Sequence, residues 1–220
     1  MFGKPSSSAG AADTERQRIS GALVSVIAEK GYAATDLEDV LERAEIDLAT
    51  FERSYKSLDE CFAEVWMEYT KTFAEPLVSA LLSQPSWRDG MRALGWELCR
   101  LILEDQLRAR ICMVEINYGG DLAQGARDLV LGAYVELVHL GREEVGSKPG
   151  VRREQAEAVV GAIWDRAGRT IKAGDHGAIV DDVPELLYLI FLPYLGPAAA
   201  QDELIRGRSD LERFKQDLLR

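Results

Sequence analysis

Apolar residues recur at three- and four-residue spacing along this chain, with no stretch of sustained alternation. That period predicts helices and no strands. Ile19, Leu23, Val26 and Ile27 stripe a first helix that opens at Asp13 or Thr14 and runs to about Lys30. Gly31 then stops it, as a C-terminal glycine does. Leu37, Val40, Leu41 and Ala44 stripe a short second helix. Ahead of it, Thr35 and Glu38 have the spacing of a capping box, hydroxyl and carboxylate each satisfying an orphan N–H. Asp47 caps a third short helix, LATFERSY, and Ser57 with Glu60 opens a long fourth. Phe62, Val65, Trp66, Tyr69 and Phe73 share one face of that helix, which continues towards Leu82.

Gln84-Pro85-Ser86 interrupts the pattern. Ser86 and Asp89 start a helix with Met91, Leu94, Leu98, Leu101 and Ile102 inward, and another covers about Gln106 to Asn117. After the Gly119-Gly120-Asp121 turn, a long helix carries Val130, Tyr134, Leu137 and Val138 to about Val145. A loop at 146–150 precedes helices over about Arg152 to Ala173 and Pro184 to Leu195. A short amphipathic helix is expected within Gln201 to Arg220. The stretch PELLYLIFLPYLG is apolar nearly all round and must be buried on several sides. The fold class is therefore all-α. The expected division is a flexible tail at 1–12, a three-helix domain at 13–62 and a helical bundle at 63–220.

Two compact helices joined by a turn of three or four residues form a helix-turn-helix, whose second helix enters the DNA major groove. Gly31-Tyr32, Ala34-Thr35, Asp39-Val40, Arg43-Ala44, Thr50-Phe51, Arg53, Tyr55, Ser57 and the run from Glu60 to Phe62 resemble the DNA-binding domain of TetR-family transcriptional regulators. The match covers roughly the first third of the chain. The resemblance implies a ligand-responsive DNA-binding regulator, a repressor, acting as a homodimer. It implies DNA contacts from Thr35, Thr50, Arg53, Ser54, Tyr55 and Lys56. It also implies a small apolar or amphipathic effector bound in the second domain, and a dimer interface of two helices per subunit. The PYLG stretch resembles the late helix of many such proteins. The interface would then use Val159 and Ile163 with Leu187, Phe191 and Tyr194.

The departures are acidic. Glu45 stands where the family usually has a turn glycine, and Asp47, Leu48 and Ala49 where Ser, Arg and Gly are common. Glu52 replaces a phosphate-binding Tyr, and Leu58 a Lys. Of the net charge of −11, the residues through Phe73 carry −6, from eight Lys or Arg against fourteen Asp or Glu. DNA affinity rests largely on neutralised phosphates. The alternative is thus a protein of the same fold that has lost operator binding and serves as a ligand-binding or protein-interaction module.

The remaining chemistry is sparse. Trp96, Tyr118, Tyr134 and Trp164 come from four segments, and with Cys99, Leu103, Met113 and Ile116 they form a candidate apolar pocket between helices. The three cysteines lack metal-ligand spacing and read as buried small hydrophobes. His139 and His176 have no nucleophile signature beside them, so no enzyme activity, cofactor or metal is expected. The stretch GREEVGSK imitates a phosphate loop but follows a helix and has Ser before Lys. No apolar run reaches 18 residues and the first residues have no signal-peptide core, so the expectation is a cytoplasmic protein without a membrane partner.

Overall fold

The computed structural model describes residues 7–144 and 152–218; the side chains of 7–12 are not described. Residues 1–6 of the tail expected at 1–12 and the loop at 146–150 thus lie outside the described residues, as does Val145. The described residues are helical, with no strand among them. The chain divides into two compact units, 1–69 with 115–126, and 70–114 with 127–220. The division falls inside a helix instead of at position 62, and a segment from mid-chain joins the first unit.

In the first unit, α1 (Ser7–Lys30) begins upstream of the expected Asp13. Gly31 ends it at φ 78°, a left-handed value that spares only glycine a Cβ clash, and a 3₁₀ turn follows over Tyr32–Ala34. Then come α2 (Leu37–Ala44) and α3 (Leu48–Ser54). The cap of α2 is Asp36, not Thr35. Asp36 accepts the Asp39 N–H at 3.0 Å, and Asp39 accepts the Asp36 N–H at 2.8 Å. A carboxylate one residue later closes the same reciprocal box. Thr35 instead donates its hydroxyl to the Gly31 carbonyl at 2.8 Å.

Helix α4 (Leu58–Leu82) opens as expected, with Ser57 Oγ accepting the Glu60 N–H at 3.1 Å. Its Phe62 ring stacks on Tyr32 with centroids 3.9 Å apart. The 3₁₀ turn Glu115–Tyr118 packs into this unit. Buried Glu115 accepts the Tyr32 N–H at 2.8 Å, and Asp59 takes the N–H groups of Gly120 and Leu122 at 2.7 and 3.1 Å. Asp59 so satisfies the first orphan donors of α7 (Asp121–His139).

The second unit contains the end of α4, α5 (Trp87–Glu104), α6 (Gln106–Met113), the rest of α7, α8 (Gly141–Glu144), α9 (Arg153–Lys172), α10 (Ala178–Leu195) and α11 (Pro197–Leu218). α6 stops at Met113 instead of about Asn117, and α7 at His139 instead of about Val145; α10 and α11 also differ from expectation. α10 starts six residues before Pro184, because Ile179, Val180 and Val183 extend its buried face upstream. The interior proline gives up one backbone hydrogen bond, and its ring lies against Gly207 of α11. A Cβ on Gly207 would stand 3.2 Å from Pro184 Cα, so a larger residue there would push the two helices apart by a few tenths of an ångström.

α11 spans 22 residues instead of one short segment. Gly196, at φ 80°, ends α10, and Pro197 takes the first helical position, where its missing N–H costs nothing. Buried Glu203 then ties α11 to Arg92 of α5, whose guanidinium also meets Asp89. Arg92 and Glu203 are only 8% and 6% exposed. Removing one partner of such a pair leaves the other charge buried. Glu203→Ala is therefore expected to destabilise the protein by about 3 kcal/mol, the lower end of the range for a broken buried pair, since Asp89 still faces the arginine. The joint replacement Arg92→Met with Glu203→Leu should cost much less. Denaturant unfolding of the three proteins checks the order.

Candidate nucleic-acid interface and ligand cavity

The α2–α3 connection is built around one left-handed residue. Glu45 has φ 52° and ψ 48°, and its N–H and that of Ile46 reach back to the carbonyls of Glu42 and Leu41 at 3.1 Å each. Asp47 then caps α3, accepting the Thr50 N–H at 2.8 Å. These hydrogen bonds hold the Asp47 carboxyl below the ordinary aspartate range. Phe51 and Tyr55 fix the helix to its unit, each 1% exposed. The outward face is Leu48, Ala49, Glu52, Arg53 and Lys56.

Most cations of this unit already face carboxylates. Lys30 pairs with Asp39 at 2.5 Å, Arg43 with Glu29 at 2.8 Å, Arg53 with Glu15 at 3.4 Å and Arg16 with Glu64. Exposed pairs of this kind are worth little and exchange readily for other partners. Arg53 also donates to Thr50 Oγ1 at 3.0 Å, which holds the guanidinium along the outer face of α3.

The second unit has a partly open apolar cavity of about 90 Å³ lined by Leu77 of α4, Met91, Leu94 and Leu98 of α5, Met113 of α6, Tyr134, Leu137 and Val138 of α7, Val160, Ile163, Trp164 and Ala167 of α9, and Ile190 of α10. Beside it lies a second of about 70 Å³, which adds Gly95, Cys99, Ile179, Val183, Leu186 and Leu187. No lining residue of either is charged. Among the described residues no cluster of three or more His, Cys, Asp or Glu could hold a metal ion. No helix among them is long and apolar enough to cross a membrane.

No family model and no curated protein matches this sequence. Solved structures do. The transcriptional regulator FadR from Bacillus subtilis, in complex with stearoyl-CoA, superposes with a TM-score of 0.65 at 16% identity, over 82% of this chain and 98% of that one. A TetR family transcription regulator from Marinobacter aquaeolei gives 0.59 at 14% identity, over 83% and 96%. A TetR-like regulator from Rhodococcus gives 0.56 at 20% identity, over 83% and 97%. The chain has the TetR-type fold.

Within this TetR-type fold the residues singled out from sequence separate into distinct places. Arg53 and Lys56 are exposed at α3, and Thr50 and Ser54 half-buried there. Ser54 Oγ donates to Glu15 at 3.3 Å. Tyr55 faces inward. Its hydroxyl donates to Glu64 at 3.0 Å, and the Arg16 guanidinium lies over its ring at 4.7 Å. It is a core residue because the last turn of so short a helix must anchor it. Thr35 spends its hydroxyl on Gly31.

Met113, Tyr134 and Trp164 line the larger cavity and Cys99 the smaller. Leu103 lines neither, and Trp96 stacks on Phe214 of α11 at 5.1 Å. Ile116 and Tyr118 belong to the first unit. Sequence reasoning followed the aromatics; the α5 stripe Met91, Leu94 and Leu98 was the signal for the cavity wall. The interface residues shift most. Phe191 and Tyr194 pack on Trp87 of the same chain, Leu187 and Ile163 line the cavities, and Val159 is half-buried. Leu187, Phe191 and Tyr194 are at most 2% exposed, so they have no surface left to give a second subunit. The three cysteines are buried, and desolvation pushes each thiol up to about 12. They stay protonated and unreactive.

Glu45 is the one described non-glycine residue at positive φ. The left-handed region costs an L-residue about 1–2 kcal/mol, and glycine's extra freedom in the unfolded chain cancels part of the gain from removing that strain. Glu45→Gly should stabilise the protein by about 0.5–1 kcal/mol. A rise in the midpoint of chemical unfolding without a change in slope checks this.

Proposed function

We propose that this protein is a ligand-responsive DNA-binding transcriptional regulator, a repressor that works as a homodimer. The observation that supports it most is the pairing, on one chain, of a complete helix-turn-helix with a separate apolar cavity. In this reading α3 enters the major groove, with Arg53 and Thr50 towards the bases and Lys56 towards the phosphates. A small apolar or amphipathic effector occupies the cavity. FadR, which shares the fold, holds an acyl-CoA.

Two covalent routes connect cavity and DNA-binding unit. Leu77 lines the cavity on the same helix that Ser57 opens beside α3. Met113, also in the lining, lies two residues before Glu115, the carboxylate that accepts the Tyr32 N–H. A shift of either wall residue on ligand binding pulls on the base of the helix-turn-helix. Two recognition helices of a dimer must sit about 34–36 Å apart to meet half-sites one turn apart, so a small pull changes operator affinity.

The acidic outer face supports the second reading, a fold that has lost operator binding. Glu52 separates the two. As a base contact, Glu52 accepts from cytosine N4, and Glu52→Gln then relaxes or switches preference at one base pair. As a repulsive charge, its removal raises affinity for all sequences alike. We expect sequence selection by the wild type at low salt and altered preference in the variant. Titration against selected and random duplexes at two salt concentrations decides it. No selection by either protein would refute the regulator and leave the module.

For the homodimer, the outward faces of α10 and α11 are the better surface. Leu189 is 41% and Ile205 57% exposed there. Leu189→Lys should weaken self-association in sedimentation while leaving the melting of the monomer unchanged. Phe191→Glu should instead unfold the second unit, because it places a charge in that unit's own core.

A further inference from the structure

The two cavities of the second unit are lobes on either side of one shared wall. Met91, Leu94, Leu98, Ile163, Ala167 and Ile190 line both. The residues shared by the two linings are all apolar. Methionine, leucine and isoleucine pass between rotamers without disturbing a helix, and methionine adapts most readily. Leu98 and Ile163 stand in both linings, so their rotamers bear on both lobes. A cavity of about 150 Å³ lined by such residues takes up a small apolar molecule in preference to water. The lining atoms have forgone dispersion contacts that a ligand restores.

The lining also says what cannot enter. Neither lobe contains a charged side chain. The ionisable groups present are the Tyr134 phenol and the Cys99 thiol, and desolvation raises both to about 12. Both stay neutral at physiological pH. An ionised carboxylate would lose its hydration and meet no counter-charge. A ligand oxygen meets neutral donors only, the Tyr134 hydroxyl among them. Trp164 lines the larger lobe, and its buried indole N–H has no acceptor among the described residues.

We propose that the effector is an uncharged aliphatic molecule with a flexible chain, of the alcohol or ester class, that threads both lobes and is preferred over its ionised carboxylate counterpart. This rests on the reading of the cavity as the effector site. A rigid ring system fills one lobe only, whereas a chain follows the wall from Tyr134 towards Ile179.

The test uses the full chain with 1-decanol and decanoate at pH 8, read by tryptophan fluorescence and by the shift in melting temperature. 1-Decanol is expected to bind saturably, and decanoate at least tenfold more weakly. Ala167→Leu adds bulk to both lobes and should weaken 1-decanol binding at least tenfold with an unchanged far-ultraviolet spectrum. Leu98→Phe fills the wall in the same way if the first variant does not fold. Decanoate binding as tightly as 1-decanol overturns this inference and leaves the effector site standing. Binding of neither probe overturns both. Undiminished 1-decanol binding in a folded Ala167→Leu or Leu98→Phe protein overturns the two-lobe site.

Discussion

Both cores of this protein are built on one helix. α4 carries Phe62, Val65, Trp66, Phe73, Leu77 and Leu81 at spacings that keep them on one side for more than five turns, and all six are at most 5% exposed. The first three bury in the first unit and the last three in the cavity-bearing unit. A helix with so continuous an apolar stripe cannot be left in water on either half. Each unit must therefore assemble around its share of α4. Pro76 stands inside the helix and removes one backbone hydrogen bond next to Leu77, yet the flanking apolar burial holds the helix on both sides of it.

The rest of the first unit is held by carboxylates that accept backbone N–H groups. Asp36, Asp47, Asp59, Glu60 and Glu115 all do so. Short helices leave most of their backbone donors unpaired, so caps decide whether elements of seven or eight residues form at all. The negative charge of this unit is thus partly structural. What remains on the outer face of α3 is Glu52, opposed by Arg53 and Lys56. In the second unit the corresponding choice was to leave charge out. The cavity wall has no ionised group, while the buried ion pair of Arg92 with Glu203 seats α11.

What the sequence determined by itself was local. The 3.6-residue period placed the helices, and Asp47, Ser57 and Ser86 were legible as caps. Each of these depends on residues within four positions of one another, and so on information written side by side in the chain. Tertiary structure alone decided the direction of faces. α10 is apolar nearly all round, so its pattern held no preference between its own bundle and a second subunit. Packing on Trp87 turned Phe191 and Tyr194 inward and left Leu189 outside. Tyr55 reads equally well as a DNA contact or an anchor until Glu64 and Arg16, from other helices, close around it. The cavity is likewise the space left between side chains of six helices, a remainder of packing that no single stretch of sequence encodes.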